Sequence, residues 1–103
     1  VRLVGALPWG ARMPGQGRVV HIDHYGNLIS DLPASEAGES VSILGNTLRI
    51  VKTYSDVPTN TLLAYIGSTG TVEIAVRDGR ADTRLDAPRG TAVVPDPTVG
   101  PYR

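Results

Sequence analysis

Glycine and proline interrupt this chain so often that no segment holds a helical period for long: twelve Gly and eight Pro fall within 103 residues. The stretches between these breaks are short and rich in β-branched residues. Arg18 to Asp23 reads as a strand, and after the turn His24-Tyr25-Gly26 a second strand is expected from Asn27 to Leu32. Pro33 to Glu39 is a loop with room for one helical turn. Ser40 to Leu44 and Thr47 to Thr53 are β-rich runs separated by Gly45-Asn46. That pair suits a primed hairpin turn, whose two central residues take positive φ. Leu62 to Ile66 and Thr71 to Val76 form two more strands around Gly67-Ser68-Thr69-Gly70, Asp78-Gly79 marks another tight turn, and Thr91 to Val94 is the last strand.

About seven short strands at such spacing predict an all-β fold, a barrel or a sandwich. Closure removes the exposed edges that short antiparallel strands must otherwise protect, so a small antiparallel β-barrel is expected. The chain has room for one domain and one core. The barrel is placed at 17–94, after an N-terminal segment and connector over 1–16 (most connector-like from Leu7 to Gly17) and before a Pro-rich tail over 95–103. The start at Val1, without Met, reads as the excised end of a longer polypeptide.

Ten basic and ten acidic residues cancel, so no net field favours nucleic acid or an anionic membrane, and neither is expected as a partner. The absence of cysteine rules out disulfides, thiolate metal sites and cysteine nucleophiles. No apolar run approaches the roughly 18–20 residues of a membrane span, and no signal-peptide core is present. A cytoplasmic protein is expected. With no Phe, one Trp and four Tyr, the core must come from Val, Ile and Leu. A Tyr beside a Gly turn is then either half-buried packing or a binding group.

Three clusters carry possible chemistry. His21, Asp23 and His24 offer a superficial zinc set, but the chain has no third His, and exposed polar residues on a strand are the simpler reading. No metal is assigned. Ser68 in Gly67-Ser68-Thr69-Gly70 is neither a nucleophile elbow nor part of a phosphate loop, which would need a Lys and a following helix. The turn does offer backbone N–H groups and two hydroxyls to a small anion, but taken alone the pattern is better read as a plain hairpin loop. Asp23-His24-Tyr25-Gly26-Asn27 places an acid, a ring, a Gly and an amide at one turn. The Gly permits close backbone approach, and an amide donor–acceptor pair suits a purine edge or a ribose. The pattern fits a nucleoside or amino-acid site.

The run from Gly17 to Asp31, Gly-Arg-Val-Val-His-Ile-Asp-His-Tyr-Gly-Asn-Leu-Ile-Ser-Asp, closely resembles a signature of the S-adenosyl-L-methionine hydroxide adenosyltransferases, relatives of the fluorinases and chlorinases. The resemblance continues through Thr53-Tyr54-Ser55-Asp56-Val57-Pro58, through Leu62 to Gly70, and through Val72 to Gly79. It covers about residues 17–94 and matches the family's C-terminal domain.

It implies part of an enzyme that attacks C5′ of S-adenosylmethionine with water or hydroxide, releasing methionine and adenosine. No further cofactor is implied. It also implies a homotrimer, with each site between this barrel and the N-terminal α/β domain of a neighbouring subunit. Residues positioning the nucleophile lie in that other domain, so no catalytic residue is expected in this chain, and the chain alone is expected to be inactive. By the same resemblance Asp23 would accept the methionine ammonium, and Ser68 with the Thr69 backbone would hold its carboxylate. Asn27 would meet the adenine edge, Tyr25 and Tyr54 would pack around the nucleoside, and Val76 and Asp78 would approach adenine through their backbones. Thr69 stands where the halogenating relatives carry Arg, which favours hydroxide. The alternatives are a stand-alone nucleoside-binding or trimer-assembly module, or a halogenase domain.

Overall fold

The structure, a computed structural model, describes residues 12–96. Seven strands close into a barrel: β1 (Gly17–Ile22), β2 (Leu28–Pro33), β3 (Ser40–Ile43), β4 (Asn46–Val51), β5 (Leu62–Ile66), β6 (Thr71–Val76) and β7 (Ala92–Pro95). Short helices α1 (Ala34–Ala37) and α2 (Ala81–Leu85) and a 3-10 turn at Tyr54–Asp56 punctuate them. Around the barrel the order is β1-β2-β6-β5-β4-β3-β7. The expected all-β barrel of short strands is therefore found. No described helix is long and apolar enough to cross a membrane.

The pairing is antiparallel with one exception: β4 and β5 run parallel, with Ile50 opposite Ala64 and Val51 opposite Tyr65. A wholly antiparallel barrel was the expectation, and parity overrules it. A closed ring with an odd number of strands cannot reverse direction at every step, so at least one neighbouring pair must be parallel.

The core is aliphatic, as a chain without Phe requires. Val19, Leu28, Leu32, Val41, Val72, Ile74 and Val93 are fully buried within it. Strand β1 reaches this core through an irregularity: Val19 pairs with Ser30 but His21 with Ile29. The extra residue is Val20, so Val19 and Val20 are both buried while His21 turns outward. Ser30, the buried polar residue on β2, donates through Oγ to the Val72 carbonyl at 2.6 Å and accepts the Leu32 N–H at 3.2 Å. Gly17 is required by close approach, since a Cβ there would collide with Leu32 Cβ.

Two local expectations are corrected. The β3–β4 turn is Leu44-Gly45, not Gly45-Asn46: Ile43 pairs with Asn46, and Leu44 and Gly45 take φ of 48° and 80°. This register keeps Val41 and Ile43 in the core, and burying them outweighs the preference of Leu for negative φ. Helix α2 follows the Asp78-Gly79 turn in a stretch where the sequence shows no element. Its Ala81 is fully buried, and five residues are too few to show a helical period. At the ends, β7 extends through Pro95, one residue into the expected tail. The Arg12 guanidinium grips Glu36 at 2.6 Å, tying the end of the expected connector to α1. The rest of the connector and tail, 1–11 and 97–103, lie outside the described residues.

Candidate functional site

The turn after β1 is organised by Asp23. Its Oδ1 accepts the backbone N–H groups of Tyr25 and Asn27, both at 2.9 Å, and its carbonyl accepts the Gly26 N–H at 3.0 Å. Oδ2 has no hydrogen-bond partner among the described residues and remains available. Gly26 takes φ +83° and packs directly on α2: an added Cβ would lie 2.7 Å from Asp82 Oδ1 and 2.8 Å from Arg80 Cβ. The Gly26 carbonyl accepts the Asp82 N–H at 3.0 Å, and Arg80 donates to the His24 carbonyl at 3.2 Å. Arg80 and Asp82 hold each other at 3.0 Å, and the guanidinium keeps the Asp82 carboxyl below its usual range. Helix α2 is thus a brace for the Asp23–Asn27 turn.

The second wall comes from the connection between β4 and β5. Asp56 Oδ2 accepts the N–H groups of Lys52 and Thr53 at 3.1 and 3.2 Å, closing the 3-10 turn that presents Tyr54. Arg77, just past β6, donates to the Val57 carbonyl at 2.7 Å and holds this connection against the barrel. Asp78 follows at φ +61°, and its carboxylate accepts the Thr59 hydroxyl at 3.1 Å.

These pieces enclose a cavity of about 560 Å³ lined by Tyr25, Asn27, Tyr54, Val76 and Asp78 together with Thr53, Ser55, Arg77 and Gly79. Asn27 is 6% exposed, whereas Tyr25 is 72% and Tyr54 41% exposed. The amide is therefore fixed at the base, and the rings stand at the open rim. A second cavity, about 330 Å³, is lined by Asp23 and Thr69 with His21, Ile29, Asp31, Thr71 and Glu73. The two flank the Asp23–Asn27 turn. Ser68 lines neither cavity and is exposed on the β5–β6 turn. That turn is closed by Gly67 and Thr71 at 2.9 Å and by Gly70 and Gly67 at 3.0 Å.

Five of the eight expected residues thus share the larger cavity, Asp23 and Thr69 share the smaller, and Ser68 stands apart. His21 and His24 are both exposed, and among the described residues no His/Asp/Glu group is arranged to hold a metal.

Sequence reasoning missed Tyr65 and Glu73. Tyr65 sits directly opposite Glu73 across β5 and β6, and its hydroxyl donates to Glu73 Oε1 at 2.7 Å. The Tyr54 and Tyr65 hydroxyls lie 3.1 Å apart, and Asn27 Nδ2 donates to the Tyr54 hydroxyl at 3.0 Å. Burial, helped by these hydrogen bonds, pushes the Tyr65 hydroxyl far above its ordinary pKa, so it stays protonated. The available signal was a lone carboxylate inside the apolar run Thr71–Val76.

Residues 17–94 match the family model described as the SAM hydroxide adenosyltransferase C-terminal domain. An (R)-S-adenosyl-L-methionine hydrolase of Thermus thermophilus is 31% identical over 93 residues, 90% of this chain and 36% of that protein. A crystal structure of a conserved hypothetical protein from Thermus thermophilus superposes with a TM-score of 0.76 at 30% identity, covering 89% of this chain and 39% of the other. An uncharacterized conserved protein from Thermotoga maritima superposes at 0.65 with 26% identity, covering 76% and 34%. The chain thus spans little more than a third of the length of these relatives. It belongs to the family of SAM hydroxide adenosyltransferase C-terminal domains.

Proposed function

We propose that this chain is the substrate-binding C-terminal barrel of an enzyme that hydrolyses S-adenosyl-L-methionine to adenosine and L-methionine. Water or hydroxide attacks C5′ and the C5′–S bond breaks with its electron pair passing to sulfur; water gives up one proton to solvent in the step, and hydroxide none. The sulfonium is a good leaving group, so the protein's main task is to align the nucleophile and exclude other water.

The reading rests on one observation above all: the larger cavity assembles Tyr25, Asn27, Tyr54, Val76 and Asp78 from three separate parts of the chain. An amide at its base and two rings at its rim suit a purine nucleoside, with Asn27 on the adenine edge and the rings on its faces. The smaller cavity takes the methionine end, with Oδ2 of Asp23 on the ammonium; Thr69 meets the carboxylate from the cavity wall and Ser68 from the exposed turn beside it. The exposed rims of Tyr25 and Tyr54 are covered, in this proposal, by the N-terminal α/β domain of a neighbouring subunit in a homotrimer. That domain positions the nucleophile, and this chain alone is inactive. The hydrolase named above acts on the (R) sulfonium epimer, and we assign the same epimer here.

The test uses the full-length polypeptide with separated sulfonium epimers, following adenosine by chromatography. Asn27→Ala should raise KM for the (R) epimer by about tenfold or more, as expected for a lost bidentate base contact. Unchanged KM, or a halide requirement for turnover, would refute the assignment. Asp23→Ala is a poorer probe, because Asp23 also holds the turn through two backbone N–H groups.

A further inference from the structure

The hydrogen bonds from Asn27 to Glu73 form one chain, and its polarity can be fixed from its buried end. That end is Glu73, 9% exposed, whose Oε1 is the acceptor for the Tyr65 hydroxyl. Tyr65 must therefore spend its single O–H on Glu73 Oε1, at 2.7 Å. At the 3.1 Å contact between the tyrosines, Tyr65 is left as acceptor and Tyr54 as donor. With its own O–H committed, Tyr54 can only accept from the Asn27 amide, so the group 3.0 Å away must be Nδ2. Each step leaves one choice, and the last decides which way round the Asn27 amide sits.

We infer that Glu73, acting through Tyr65 and Tyr54, is a positioning residue that locks the Asn27 amide in the orientation reading a 6-aminopurine. The inference rests on the adenosine reading proposed above. With one Nδ2 hydrogen bound to Tyr54, Asn27 presents Oδ1 as acceptor and its other N–H as donor. On the edge that carries N1, adenine offers the complement, the exocyclic N6–H donor beside the N1 acceptor. On that edge a 6-oxopurine exchanges both groups, O6 accepting beside an N1–H donor, and would need the amide reversed. Reversal would set Oδ1 against the Tyr54 oxygen with no hydrogen between them.

Two features keep the relay in place. Tyr65 and Glu73 are direct cross-strand partners, so their contact follows from the β5–β6 register. Gly67 has no side chain to displace the carboxylate; a Cβ there would collide with Glu73 Oε2.

The experiment measures inhibition of the full-length polypeptide by adenosine and by inosine, in the wild type, Glu73→Gln and Tyr54→Phe. Gln is close in shape to Glu but can donate as well as accept, so either polarity becomes possible. Tyr54→Phe removes the link at a partly exposed position and covers the case in which Glu73→Gln fails to fold. The wild type should favour adenosine by about tenfold or more. In both variants that ratio should fall toward one, chiefly through tighter binding of inosine. An unchanged ratio, or equal weakening of both nucleosides, would overturn the inference, because a purely structural role lowers both together. If the folded wild type binds neither nucleoside, the adenosine reading fails first and the inference falls with it.

Discussion

Replacing Gly26 by Ala tests whether α2 braces the binding turn as tightly as the structure implies. The backbone there has φ +83°, in the left-handed region that costs an L-residue about 1–2 kcal/mol. The new Cβ would also lie 2.7 Å from Asp82 Oδ1, 2.8 Å from Arg80 Cβ and 2.9 Å from Arg80 Nε. Carbon contacts are favourable near 3.5–4.0 Å, and relieving such overlap costs about 1–3 kcal/mol more. Stiffening of the unfolded chain returns about 0.4–1 kcal/mol, leaving a net loss of roughly 2–4 kcal/mol. For a domain of this size that lowers Tm by roughly 10–25 °C. Gly45→Ala is the matched control, with φ +80° and nothing within 4 Å of the added Cβ. It carries the backbone penalty alone. Thermal melts of the two variants by circular dichroism, at one pH, separate the contributions. If Gly26→Ala melts no lower than Gly45→Ala, α2 does not pack against the turn at Gly26 and is no brace.

Two further outcomes follow from the same geometry. Leu44 is 56% exposed at φ 48°, so Leu44→Asn creates the Asn-Gly pair preferred in a type I′ turn and should stabilise by about 1 kcal/mol. A Tm that fails to rise would contradict it. Asp82 is held below its usual pKa by Arg80, so its folded-state value lies under its unfolded one. The stability it contributes is therefore present above about pH 4 and fades as pH falls through the folded value. The Tm gap between wild type and Asp82→Asn should be widest near neutrality and narrow below about pH 4; a gap independent of pH would show that the Arg80–Asp82 pair is not its source.

What could be read from the sequence was what depends on local chemistry. Gly and Pro spacing located the strands because each break acts where it stands, and Asp23 to Asn27 stood out because its residue types crowd into one turn. The expected residues then divided between two cavities, and no local pattern specifies such a division. Leu44 shows a local preference losing to a distant one: its own conformational preference argues against the turn, yet the register that buries Val41 and Ile43 demands it. Tyr65 and Glu73 were missed for a related reason. Each is ordinary in its own strand, and only their pairing across the β5–β6 hairpin makes them a unit.

The parallel seam explains why the larger cavity lies where it does. Once seven strands close, at least one neighbouring pair must be parallel, and here that pair is β4 and β5. Two parallel strands cannot be joined by a tight turn; the chain must travel back along the barrel before β5 can begin. Residues 52–61 make that journey over the outside of the barrel. The passage carries Tyr54 and through it meets Tyr65, whose hydroxyl in turn holds Glu73 on β6. Because Val51 lies beside Tyr65, the chain leaving β4 starts next to Tyr65 and brings the Tyr54 hydroxyl within 3.1 Å of its partner. From there Tyr54 reaches Asn27, at the entry to β2. A barrel with an even number of strands could be joined throughout by hairpins, with no need for a return passage or for the wall it builds. The odd strand count therefore does more than set the fold: it supplies the segment that turns a polar loop into a cavity.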